Sequence, residues 1–226
     1  MKKNTKVVSA SVFFLAIVVL HILGLLYNDK LAFLTKPFIT ISLVVIYLLS
    51  VNKVSFWYVS ALFFSFWGDT FLLFKEAFFL FGLVSFLIAH ILYIKISSNY
   101  LKKISFKKII TYSIPFVIAF GSIVYLIRAN LGDMLVPVII YGLVIATFGT
   151  LTLLNYVQQK TTENLWLFLG AFIFIVSDSL LAINKFYEAS EIYGISIMVT
   201  YIVAQYLICK AMVVKDSQSL KKQLQV

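Results

Sequence analysis

The sequence predicts an all-α polytopic membrane protein, a bundle of eight transmembrane helices with both termini in the cytoplasm. Three observations carry that prediction. First, 62% of the 226 residues are hydrophobic and only 12% charged, with a mean hydropathy of +1.01, whereas a soluble domain is nearer half apolar and about a quarter charged. Second, the apolar residues fall into eight runs close to the roughly 20 residues that a helix needs to cross the hydrocarbon core. Third, the basic residues collect in alternate breaks between those runs. A soluble fold of this size cannot hide so much apolar surface. Soluble enzymes, nucleic-acid binders and secreted disulfide scaffolds are therefore excluded.

Read from polar break to polar break, the runs are Val7–Tyr27, Leu31–Val51, Val54–Phe74, Ala77–Ser97, Ile109–Ile127, Met134–Val157, Leu165–Asn184 and Ile192–Val213. They are too long for barrel strands and too continuously apolar for strand alternation. The breaks Asn28-Asp29-Lys30, Asn52-Lys53 and Lys75-Glu76 are short, which makes neighbouring helices antiparallel. The first run follows a basic start, as in a signal peptide. It is about 20 residues long and lacks a small-x-small cleavage site, so it reads as an uncleaved first helix. Residues 1–226 form one eight-helix domain with a short solvated tail, 215–226.

With the N-terminus inside, 14 Lys side chains fall on the cytoplasmic side against four basic residues outside (Lys30, Lys75, Arg128 and Lys185), with Lys36 within a span. The acids divide the other way, five outside and Glu163 and Asp216 inside. This bias sets the orientation. It also accounts for the net charge of +10 without nucleic acid, and makes the basic loop 102–108 a surface for anionic headgroups. The expected location is the cytoplasmic membrane of a bacterium. The single Cys209 excludes an intramolecular disulfide. Two histidines, His21 and His90, are too few for a three-histidine zinc centre. No metal or other cofactor is expected.

Three ionisable residues lie inside the spans: Lys36, Asp69 and Asp178. A charge at mid-bilayer costs roughly 2.5–3.5 kcal/mol on insertion scales, so such residues usually face a cavity and mark a function. At 1.5 Å per residue all three sit roughly 7–9 Å below the outer boundary. Three separate segments thus put charge into one layer. Ser65 shares a helical face with Asp69, beside Gly68, which admits a close neighbour. On helix 7, Gly170, Phe174, Asp178 and Leu181 share a face, and Ser177 adds a hydroxyl. On helix 4, Gly82, Phe86, His90 and Tyr93 align; on helix 8, Tyr201 and Gln205 are four apart; Tyr141 enters from outside on helix 6.

Each residue also has a plain structural reading. The aspartates would pair with Lys36, which itself either joins them or snorkels outward. His90 lies deeper, roughly 20 Å from the outer end of its helix, and would line a pocket base apart from the carboxylates or bond a neighbouring helix. His21 would be interfacial. Pro37 and Pro115 would be tolerated kinks.

Six motifs in chain order resemble the YhhN-like lysoplasmalogenase family. They are Thr35-Lys36-Pro37, Ser65-Phe66-Trp67-Gly68-Asp69, Phe81-Gly82 with His90-x-x-Tyr93, Tyr141, Gly170-Ala171 through Ser177-Asp178, and Thr200-Tyr201-x-x-Ala204-Gln205. The resemblance runs from about helix 2 to helix 8. It implies a multi-pass hydrolase that cleaves the vinyl-ether bond of lysoplasmalogens to a fatty aldehyde and glycerophospho-ethanolamine or -choline. The implied partners are the lysophospholipid, water and membrane lipids.

Vinyl ethers hydrolyse by slow protonation of the β-carbon, giving an oxocarbenium ion that water captures; the hemiacetal then collapses. One carboxyl must give a proton and one carboxylate must face the cation, a division of labour shared with glycosidases. Asp69 and Asp178 are the expected catalytic pair. Lys36, Ser65, His90, Tyr93, Tyr141, Ser177, Tyr201 and Gln205 are expected to bind or support. A small membrane transporter or proton-coupled carrier is the alternative from another class, since buried Asp and Lys are common there. A hydrolase of another lysolipid is a further alternative; an ester hydrolase would need a nucleophile elbow, and Gly-x-Ser-x-Gly is absent.

Overall fold

The computed structural model describes residues 2–74 and 77–223, with side chains described for 4–74 and 77–217. The break Lys75-Glu76, the side chains of Lys2, Lys3, Lys221 and Lys222, and residues 224–226 of the expected tail lie outside the described residues.

Among the described residues eight helices follow one another: α1 (Lys2–Tyr27), α2 (Asp29–Ser50), α3 (Phe56–Leu72), α4 (Phe79–Tyr100), α5 (Phe106–Ile127), α6 (Leu135–Gln158), α7 (Thr162–Phe186) and α8 (Glu191–Gln223). Two 3₁₀ turns, Arg128–Asn130 and Gly132–Met134, join α5 to α6. Seven of the helices are long and apolar enough to cross a membrane. The eighth, α3, has 17 residues, about 26 Å at the usual rise, the short end of the spanning range. The protein is thus an all-α polytopic membrane protein with seven to eight long apolar helices.

Polar residues at the breaks define the helix starts. The Asn28 side chain accepts from the N–H groups of Lys30 and Leu31, so a single residue separates α1 from α2. Ser55 caps α3 by accepting from Tyr58 N–H, and Thr161 caps α7 by accepting from Asn164 N–H. These caps occupy donors that an apolar environment would leave unpaired. Pro37 and Pro115 lie within continuous helices.

Sequential helices pack as antiparallel pairs, α1 on α2, α3 on α4 and α7 on α8; α4 reaches across to α6, and α8 to α2 and α1. The core therefore lies between α2, α3, α4, α6, α7 and α8. By contrast, α5 is peripheral, touching α6 and α7 and burying only Phe116 and Ile127.

One expectation changes here. The solvated tail does not begin at residue 215, because Lys215 and Asp216 are buried within α8. Lys215 Nζ donates to Asn164 Oδ1 (2.5 Å) and stands over the Tyr100 ring, while Tyr47 Oη donates to Asp216 Oδ2 (2.5 Å). The ends of α2 and α4 and the start of α7 close around that turn of α8 and supply partners for both charges. His21, near the end of α1, packs into the bundle: it is 1% exposed, and its Nδ1 lies 3.0 Å from Thr35 Oγ1. The Thr35 hydroxyl already donates to the Leu31 carbonyl, so it accepts the histidine proton.

Candidate functional site

Two hydrogen-bonded groups occupy the interior. The first centres on Asp69 of α3, which is 2% exposed. Its Oδ2 accepts from Tyr201 Oη of α8 (2.6 Å) and from Thr40 Oγ1 of α2 (2.8 Å). Gln205 Nε2 donates to Tyr201 Oη (3.3 Å), and Tyr93 Oη of α4 donates to Gln205 Oε1 (3.0 Å). The protons along this chain all point toward Asp69. Ser65 lies beside the Tyr93 hydroxyl. Lys36, half-buried on α2, is within electrostatic reach of Asp69. Lys36 and Thr40 are four residues apart and so share one face of α2. Sequence reasoning missed Thr40; its place one turn after Lys36 was the available signal.

The second group centres on Asp178 of α7. Tyr141 Oη of α6 donates to Asp178 Oδ2 (2.5 Å) and lies 3.4 Å from His90 Nδ1 of α4. That same Nδ1 is 2.8 Å from the Phe86 carbonyl oxygen. A carbonyl only accepts, which assigns the proton to Nδ1 and leaves a lone pair on Nε2. His90 Nε2 is buried and has no hydrogen-bond partner among the described residues. His90 thus touches neither carboxylate and stands one hydroxyl away from Asp178, because the long Tyr141 side chain spans the difference in depth.

Asp178 also lines a cavity of about 70 Å³ between α5, α6 and α7. Its walls are apolar, from Phe116 and Phe120 of α5, Ile145 of α6 and Ile175 of α7; Tyr141, Asp178 and Ser179 supply the polar groups. Such a space admits a few waters or a short stretch of hydrocarbon, since one water needs about 10–15 Å³ on this measure. Gly142 shapes it: a Cβ there would come within 2.1 Å of the Phe120 ring, so the ring packs directly against the α6 backbone.

Asp69 is not on the wall of that cavity. Phe86, seated on the bare backbone of Gly68, contacts Tyr201 (5.8 Å between ring centres) and Phe174 (6.1 Å). Phe174 in turn contacts Tyr201 (5.5 Å) and His90 (4.6 Å). The two polar groups therefore meet through aromatic rings, not through a common chamber. Ser177 joins neither group, because its hydroxyl donates to the Ile197 carbonyl (2.9 Å) and ties α7 to α8.

The YhhN family model matches residues 31–212. The chain belongs to the YhhN family. The matched stretch holds both polar groups of this YhhN protein and leaves out all of α1, the first two residues of α2 and the end of α8. No curated protein and no solved structure gives a match.

Proposed function

We propose that this YhhN protein is an intramembrane hydrolase that cleaves the vinyl-ether bond of lysoplasmalogens by carboxylate acid–base catalysis. The observation that carries the proposal is the Asp178–Tyr141 pair on the wall of an otherwise apolar cavity. An ionisable residue at membrane depth is a functional site by default, and a single aliphatic chain suits apolar walls.

In this reading the Asp178 carboxyl gives its proton to the β-carbon of the vinyl ether. The π electrons form the new C–H bond, and the carbon bearing oxygen becomes an oxocarbenium ion facing the new carboxylate. Water adds to that carbon as the carboxylate takes one of its protons. The hemiacetal then breaks its C–O bond to the glycerol as its hydroxyl proton passes to the leaving oxygen, releasing fatty aldehyde and the glycerophospho alcohol. One water is consumed, and Asp178 ends as it began. Tyr141, donating to Oδ2, orients the carboxyl so that its other oxygen serves the transfer. His90, with Nδ1 3.4 Å from the Tyr141 hydroxyl, backs that phenol. Asp69, with Lys36, Thr40 and Tyr201, does not touch the reacting atoms: it is a positioning residue that ties together α2, α3 and α8 and adds its charge to the same layer.

The test is incubation of purified protein with 1-alkenyl and 1-acyl lysolipids, with products separated by mass spectrometry. Aldehyde release from the alkenyl lipid alone is expected. Uptake of solute into protein-containing liposomes with no chemical product would support a carrier instead. Fatty acid released from the acyl lipid would support a hydrolase of another lysolipid.

A further inference from the structure

At the opposite, lysine-rich end of the bundle there is a concave pocket of about 420 Å³. Lys102 and Lys103 of the α4–α5 link and Lys108 in the first turn of α5 line it, and no acidic residue does. A two-point clamp holds its shape: Lys102 N–H donates to Gln158 Oε1 (2.9 Å), and Gln158 Nε2 donates back to the Lys102 carbonyl (3.2 Å). The clamp fastens the link to the last turn of α6 and presents Lys102 and Lys103 to the start of α5. Ser105, the residue before α5, makes no side-chain capping bond, and it too lines the pocket. The first turn of this 22-residue helix adds the positive end of its dipole. Two acids of the same end, Glu163 and Asp216, lie against Lys215 and do not neutralise these lysines.

The pocket has a greasy side as well. Leu154 and Val157 of α6 form part of its wall, and Val157 is 37% exposed. A phosphate held by the lysines would therefore leave attached chains beside the apolar α6 wall of the pocket. We propose that this pocket is a binding site for the anionic phosphate headgroup of a membrane lipid, separate from the Asp178 cavity.

The site is testable on the full chain in detergent by native mass spectrometry, with phosphatidylglycerol and phosphatidylcholine as probes. The expected result is preferential retention of phosphatidylglycerol, falling about 10-fold or more in the triple variant K102Q/K103Q/K108Q, given the energetic weight of each basic residue at an anionic headgroup. A second triple, K95Q/K107Q/K160Q, removes the same charge from exposed positions outside the pocket and is expected to retain phosphatidylglycerol as the parent does. Thermal unfolding in the same detergent checks that both variants are folded. Equal retention by parent and pocket variant, equal loss in both triples, or no preference over phosphatidylcholine would each overturn the proposal. Inorganic phosphate at millimolar concentration distinguishes the source of the ligand: failure to displace the lipid supports a lipid site, whereas full displacement identifies a site for free phosphate and overturns the lipid assignment.

Discussion

The Asp69 and Asp178 groups sit in one bundle, and each joins a carboxylate to a tyrosine on another helix, but they are built differently. Asp69 receives two hydroxyl protons on a single oxygen, and a further amide and phenol stand behind them. It joins α2, α3, α4 and α8, and it borders no part of the α5–α7 cavity. Asp178 has one short bond from Tyr141 and faces that cavity, close to a histidine whose Nε2 is unengaged. A polar group tied by several bonds across four helices rigidifies a core, and its disruption is expressed as lost stability. A group with capacity to spare beside a cavity is available for chemistry. In the proposed function this contrast gives proton transfer to Asp178, and cohesion with electrostatic support to Asp69.

That contrast can be broken by mutation. The largest effect is expected for Asp178→Asn, which removes the transferable proton; aldehyde release should fall by about 10²–10⁴-fold, the usual weight of a general acid–base group, with an unchanged elution profile in size-exclusion chromatography. Normal turnover would remove Asp178 from the mechanism. Asp69→Ala should act mainly on stability. It leaves the Tyr201 and Thr40 hydroxyls without their acceptor, at about 1–3 kcal/mol for each buried group so orphaned, read as a lower unfolding temperature. If the variant instead unfolds like the parent but releases no aldehyde, the roles of the two aspartates are reversed.

Tyr141→Phe deletes the hydrogen bond to Asp178 while keeping the ring. A bond to a charged group is worth about 1.5–3 kcal/mol, so a drop of about 10-fold or more in kcat is expected, with KM little changed; single-turnover kinetics separate the two. Gly142→Ala drives a methyl into the Phe120 ring. Overpacking of this kind costs about 1–3 kcal/mol, and displacement of the ring toward the cavity should shift preference toward shorter alkenyl chains in a competition assay. Thr40→Val is the mildest change, removing one of two donors to Asp69 Oδ2. Its expected cost is about 0.5–1.5 kcal/mol, and a loss as large as that of Asp69→Ala would show that the donors do not act separately.

Much of the membrane architecture was legible because single residues and short runs carry it. Run length and composition predicted the helices to within a few residues at most ends, as at Tyr27 and Ile127. The i, i+4 spacing of Tyr201 and Gln205 predicted a shared face, and the two are hydrogen-bonded. Six motifs along the chain predicted the family whose model matches residues 31–212. Less legible were Thr40, an unremarkable hydroxyl in an apolar helix, and Ser177, whose position beside Asp178 suggested a role in the site that its bond to Ile197 does not support.

The sequence by itself determined what each helix carries and how deep, because hydropathy and the 1.5 Å rise are properties of one segment. Only the tertiary structure decided which groups meet. Helical periodicity names a face but not the neighbour it turns toward, and that choice depends on how side chains fill the space between helices. Phe86 on Gly68, with Phe174 beside it, keeps Asp69 off the cavity that Asp178 lines. The packing of α2, α4 and α7 around α8 buries Lys215 and Asp216, two charges that composition assigns to water.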